Sequence, residues 1–134
     1  MKKLKIGIDI DNTINVNAQT ILFFKLITQA LSGNKNEVEI HIITNRDPRE
    51  HSRLETIAEL EEYNIDYDKL AITANKHDYI MDNGINVFID DTDEYYIDLP
   101  ESVIVFKIRE PGNFDFVHKK WVYGNKTGIN IDKK

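Results

Sequence analysis

The sequence predicts an α/β protein with a parallel sheet of about five strands and helices on both faces. Three observations predict it. Short β-branched runs alternate with amphipathic stretches of helical period. The connections between successive runs are long enough for helical crossovers, which join parallel strands. The polar residues with chemical potential fall just after the strand runs, where parallel sheets place ligands.

Each element follows in order. Leu4 to Ile10 (LKIGIDI) is the first strand. Val16 to Leu31 is helical, because Phe23, Ile27, Ala30 and Leu31 recur on one face. Ser32-Gly33-Asn34 ends that helix. Val38 to Ile43 is the second strand. Asp47-Pro48 reads as an N-cap with proline at the first helical position, opening a helix to about Tyr63. Leu54, Ile57 and Ala58 form its expected inner face. Leu70 to Thr73 is a third, short strand, and a short helix runs from about Lys76 to Gly84. Asn86 to Ile89 and Val103 to Ile108 are the fourth and fifth strands. The pattern is Rossmann-like.

With 134 residues and 15.6 kDa the chain is expected to form one domain, 1–134. A motif-bearing core covers 4–108 and an irregular tail covers 109–134. The tail carries an aromatic cluster of Phe114, Phe116, Trp121 and Tyr123. That cluster reads as a packing patch on the sheet edge or as a wall of the site.

The composition excludes several classes. Lys and Arg number 17 against 23 Asp and Glu, a net charge of -6. Such a chain is a poor polyanion binder, so broad nucleic-acid binding is not expected. The absence of Cys removes disulfides, zinc-thiolate sites and thiol catalysis. The longest apolar runs fall far short of the ~20 residues that span a bilayer. The start, MKKLKIGIDI, lacks the apolar stretch of a signal peptide, because Asp9 and Asp11 interrupt it. A cytoplasmic protein without a membrane partner is expected. Oligomeric state is not legible in the sequence.

The strand ends carry the chemistry. Asp9-Ile10-Asp11-Asn12-Thr13 follows strand one, Thr44-Asn45-Arg46 strand two, and Asp90-Asp91 strand four; Lys76 lies beyond strand three. Asp9 and Asp11 are two apart and point to one side of an extended segment. Four carboxylates in one crevice repel one another unless a cation neutralises them. Hard oxygen ligands of this kind suit Mg²⁺ together with a substrate phosphate. Thr44 precedes a helix N-terminus, whose free N–H groups favour phosphate, and Lys76 can neutralise the same group. The set is a device for handling a phosphoryl group.

Asp9-x-Asp11-x-Thr13, then Ile40-His41-Ile42-Ile43-Thr44, then Lys76, then Val87-Phe88-Ile89-Asp90-Asp91, resembles the haloacid dehalogenase (HAD) superfamily. Thr73-Ala74-Asn75-Lys76 ahead of Phe88-Ile89-Asp90-Asp91 looks like its 5'(3')-deoxyribonucleotidase-like branch. The resemblance implies a Mg²⁺-dependent phosphatase working through an aspartyl phosphate on a small phosphorylated substrate, a nucleotide or a phosphorylated nucleic-acid end among the candidates. Asp9 would be the nucleophile and Asp11 the general acid/base. Thr44 would hold the transferring phosphate and Lys76 would stabilise its charge. Asp9, the backbone carbonyl of Asp11, and Asp90 or Asp91 would hold the metal. Thr13, Asn45 and Arg46 are the candidate substrate-binding residues. Positions 12 to 43 hold one helix, so the cap domain such enzymes often carry would be absent or minimal.

Other readings stand beside these. Arg46 either pairs with Asp47 or Glu50 or grips the leaving group. Asp91 either caps the helix after it or serves the metal. Asn12 serves turn geometry. His41, His51, His77 and His118 lack metal-ligand spacing and read as structural or solvent-exposed. The alternatives to an enzyme are a fold that kept binding but lost turnover, or a receiver-type signalling domain. Receivers place their acidic pair ahead of the acceptor Asp, an order this chain lacks.

Overall fold

The computed structural model describes residues 2–109 and 114–121. Its centre is a five-stranded, all-parallel sheet in the order β3-β2-β1-β4-β5. The strands are β1 (Leu4–Ile8), β2 (Val38–Thr44), β3 (Lys69–Ile72), β4 (Val87–Asp90) and β5 (Ile104–Lys107). Helices α1 (Ala18–Ser32) and α2 (Glu50–Glu62) join β1 to β2 and β2 to β3, and α3 (Lys76–Asn83) joins β3 to β4. The expected α/β, Rossmann-like architecture is the one observed. Among the described residues no helix is long and apolar enough to cross a membrane.

Strand alternation divides the core. Ile6, Ile8, Ile40, Ile42 and Ile89 meet Phe24 of α1 and Leu60 of α2 on one face. Ile43 and Phe88 meet Ile80 of α3 and Ile85 on the other. Gly7 lies in β1 on this second face, beside buried His41 in register. A Cβ at Gly7 would stand 2.7 Å from Ile43 Cδ1 and 3.3 Å from both Ile85 and Phe88. Gly7→Ala should therefore overpack the core and cost about 1–3 kcal/mol, read as a lower urea midpoint at unchanged slope.

Three sequence expectations need correction. The buried residues of α1 are Phe24 and Thr28; of the expected face Leu31 does pack against the core, whereas Ala30 is exposed and Phe23 is 56% exposed. The strict apolar periodicity misled because Thr28 is buried, its hydroxyl satisfied by the Phe24 carbonyl at 2.7 Å. Helix α2 starts at Glu50, two residues after Pro48. Asp47 instead closes a turn, accepting from the Arg49 N–H at 3.0 Å. The inner face of α2 is Thr56 and Leu60, and Leu54 is exposed.

The expected irregular tail is also corrected where it is described. β6 (Phe114–Asp115) and β7 (Lys120–Trp121) pair antiparallel as a separate two-stranded sheet. Phe114 sits edge-on to Phe116 and Trp121, with ring centroids 4.8 and 5.0 Å away. Tyr123 lies outside the described residues.

Candidate functional site

The carboxyl ends of β1, β2 and β4 meet around a small cavity of about 140 Å³. Asp9, immediately after β1, is tied to the sheet because its N–H donates to the Ile89 carbonyl at 3.0 Å. The chain then makes a wide turn over 10–14, anchored by buried Ile10 and Ile14. Asn12 takes a left-handed conformation there, φ 62°, and its N–H donates to the Asn15 side chain at 2.8 Å. That is the turn-forming duty expected of it. Its side chain also lines the cavity.

Lys76 opens α3 and is 1% exposed. Its Nζ donates to Asp9 Oδ1 at 2.8 Å and to Asp90 Oδ2 at 2.7 Å. The Tyr95 ring covers the ammonium at 4.5 Å. Burial disfavours the charged lysine, but Asp9 and Asp90 outweigh it and hold its pKa above the usual value. The Asp9 carboxyl is pushed up to about 6, by burial first and by the Asp90 charge second, against the pull of Lys76. Thr13 donates to Asp9 Oδ2 at 3.1 Å and reaches Asp91 Oδ1 at 3.4 Å.

Asp9, Asp90 and Asp91 present carboxylate oxygens within 4.8 Å of one another. Burial and the two neighbouring carboxylates push Asp91 up to about 8. Its Oδ2 is buried without a hydrogen-bond partner, as is the Thr44 hydroxyl. Buried polar atoms are seldom left so. The donor set is hard oxygen and the orphaned Asp91 oxygen belongs to it, so these three residues fit a bound cation. Asp91 does not cap the turn after it: Thr92 occupies that position and no side chain caps there.

Asp11 is held differently. Arg46 Nε donates to Asp11 Oδ2 at 2.9 Å and Nη2 to Oδ1 at 2.7 Å, a two-pronged pair. Arg46 Nη1 also donates to Glu59 Oε1 at 2.6 Å and to the Thr56 hydroxyl at 3.1 Å. Arg46 therefore bonds to neither Asp47 nor Glu50; Asp47 pairs with Arg49. The Arg46 guanidinium holds the Asp11 carboxyl below the usual carboxylate range. The Asp11 carboxylate lies outside the metal-type cluster, so the metal role implied for Asp11 rests on its backbone carbonyl.

Asp9, Asp11, Asn45, Lys76 and Asp91 line the cavity. Thr44 and Asp90, at the ends of β2 and β4, and Thr13, in the turn after β1, are buried behind its lining. Arg46 stands behind Asp11 and is not on the wall. None of residues 114–121 lines it. His41 is structural: fully buried, it bonds Glu39 at 2.6 Å and the Tyr79 hydroxyl at 2.7 Å.

Sequence reasoning missed three residues. Tyr95 lines the cavity and its hydroxyl accepts from Asn45 Nδ2 at 2.9 Å, linking the loops after β2 and β4. The Tyr96 hydroxyl accepts from the Asp90 N–H at 3.1 Å and donates to the Asp90 carbonyl. Glu59 buttresses Arg46 and is itself held by the Tyr63 hydroxyl at 3.0 Å. The Tyr95-Tyr96 pair directly after two acidic pairs was a usable signal. Nothing in the sequence points from Arg46 to Glu59.

No protein-family model matches the chain, and no curated protein does. Among solved structures, the chain resembles part of one described as "Structure of Pnkp1/Rnl/Hen1 complex", with a TM-score of 0.60 and 14% identity. The match covers 81% of this chain and 47% of that one, so this chain spans about half the length of its neighbour. At that identity the likeness is one of fold.

Proposed function

We propose that the chain is a HAD-type, Mg²⁺-dependent phosphomonoester hydrolase. One observation carries the reading. A buried carboxylate, Asp9, opens onto a cavity sized for a phosphoryl group, with Lys76 at 2.8 Å and two further carboxylates beside it. Asp9, Asp90 and Asp91 would hold the cation, which when bound offsets charge on the phosphoryl oxygens.

In this reading Asp9 attacks phosphorus and the P–O bond to the leaving group breaks. The oxygen leaves with its electron pair and takes a proton from Asp11. Water then attacks the aspartyl phosphate, giving its proton to Asp11, and Asp9 is regenerated. Lys76 stabilises the phosphoryl oxygens throughout, and the unpartnered Thr44 hydroxyl supplies a donor to one of them. The candidate substrates include nucleotides and phosphorylated nucleic-acid ends. The test is release of phosphate from an aryl phosphate with and without Mg²⁺, followed by a panel of nucleotides and 5′- or 3′-phosphorylated oligonucleotides. No Mg²⁺-dependent release from any of them would refute the proposal.

The Arg46 clamp gives a sharper expectation. By favouring ionised Asp11 it suits the water-activating step and opposes the proton-donating one. Arg46→Ala should raise the Asp11 pKa and extend the acid role to higher pH. With an alkyl phosphate, whose departure needs the proton, the falling limb of the pH–kcat profile should move toward higher pH. With an aryl phosphate it should move little. Identical shifts for both esters would show that Arg46 does not act through Asp11.

A further inference from the structure

We infer that the chain self-associates through an apolar surface formed by the outer side of α1 and the exposed face of β5. The register places this surface. Ile6, Val87 and Ile104 lie side by side across β1, β4 and β5, as do Ile8, Ile89 and Phe106. Ile6, Ile8 and Ile89 contribute to the core beneath α1 and α2, so Ile104 and Phe106 face the same side of the sheet. Both are 55% exposed. No described helix covers them, because α1 and α2 serve the β1–β2 and β2–β3 crossovers and α3 packs on the opposite face.

Helix α1 forms the other wall. Phe24 and Thr28 face the sheet. Ser32, on one flank, donates to Asp66 at 2.7 Å in the α2–β3 connection, so that flank faces the β3 edge. Phe23 and Ile27 lie on the opposite flank, toward β4 and β5. Leu22 and Leu26 continue the apolar strip across the top of the helix. Leu22, Phe23 and Leu26 are 50, 56 and 55% exposed. β5 stands two strands from β1, about 10 Å, so this flank and the β5 face lie on the same side of the sheet, with Val87 and Ile89 between them in register.

Charge and area point to a second copy as the occupant. Helix α1 carries one charged residue, Lys25, in 15, and Lys25 lies on the β3-facing flank; α2, by contrast, is rich in Glu. A chain of net charge -6 repels its own copy, so two copies approach at least electrostatic cost through a face that carries little charge. This face is such a surface: its exposed residues Leu22, Phe23, Leu26, Ile104 and Phe106 are all apolar. Its five most exposed apolar residues offer roughly 500 Å² per copy, taking about 200 Å² for each such side chain fully exposed. A pair would bury about 1,000 Å² of apolar surface, and a polar rim brings that into the range of stable interfaces.

Sedimentation equilibrium of the whole chain tests this. The expected result is a dimer, twice 15.6 kDa, at tens of micromolar protein. Leu26→Glu and, independently, Phe106→Lys should each give a monomer of unchanged far-UV circular dichroism. Both side chains are largely solvent-exposed, so the substitutions leave the core intact, and either alone suffices if the other variant fails to fold. A wild-type monomer at that concentration would overturn the inference. So would a dimer that both substitutions leave intact, or a monomer in which Phe106 is shielded by the chain's own C-terminal residues.

Discussion

Replacing Asp9 by Asn is expected to reduce turnover of an aryl phosphate by at least about 10⁴-fold, the scale seen when a nucleophile is removed, while the protein stays folded. An amide nitrogen or oxygen is too weak a nucleophile to displace a phosphoryl leaving group, and water in its place would lack the covalent route. The amide is nearly the same shape as the carboxylate, and its oxygen can still accept from Lys76, which keeps Asp90 at 2.7 Å. The fold should tolerate the change. Burial and the Asp90 charge already push the Asp9 carboxyl up to about 6, so ionised Asp9 is a cost that the neutral amide lacks. Above that pH the Asp9→Asn protein should be at least as stable as the wild type toward urea. The reading of Asp9 as nucleophile fails if a pure, folded Asp9→Asn protein hydrolyses the ester within tenfold of the wild-type rate.

How much of this was legible in the sequence depended on whether the signal was local. Strand ends announce themselves, since a β-branched run that stops at Asp or Thr needs no partner to be read. That is why Asp9, Thr44, Asp90 and Asp91 could be named from the strand runs alone, whereas Lys76, which opens α3, was legible only through the order of the motifs. Helix faces were less legible. Thr28 and Thr56 occupy core positions because each hydroxyl bonds the carbonyl four residues back, at 2.7 and 2.9 Å. An apolar-periodicity reading skips such residues and so rotates the inner face. The Asp11–Arg46–Glu59 chain was illegible for another reason. Its members come from the turn after β1, the loop after β2 and the third turn of α2, and only the packing of α2 brings them within 3 Å. Asp11 could be named as chemically important, but its ion pair, which sets its protonation, could not.

The second large effect is a pH dependence of stability that a divalent cation reverses. Asp9 and Asp91 have pKa values raised to about 6 and about 8, whereas an unfolded Asp titrates near 3.9. Between those values the native state binds more protons than the unfolded one, so stability falls as pH rises. The contribution of each group is full below about pH 4. For Asp9 it is lost as pH passes through about 6, and for Asp91 through about 8. Asp11 has the opposite sign: its depressed pKa adds stability that is lost on the acid side, as pH falls through its folded value. With chelator present, the unfolding free energy should therefore decline between about pH 5 and pH 8 by an amount on the order of a few kcal/mol, read as a falling urea midpoint. Millimolar Mg²⁺ should restore it, because a ligand that binds only the native state stabilises by mass action. The gain should grow with pH, since the carboxylates must lose their protons to take a cation. Asp91→Asn separates this from a general salt effect. It removes the group with the highest pKa and the one unpartnered oxygen of the cluster, so it should flatten the decline above about pH 6 and diminish the Mg²⁺ gain together. A midpoint that is level from about pH 6 to pH 8 in chelator would remove the electrostatic strain on which the metal site is argued. A Mg²⁺ gain that survives Asp91→Asn in full would place the cation elsewhere.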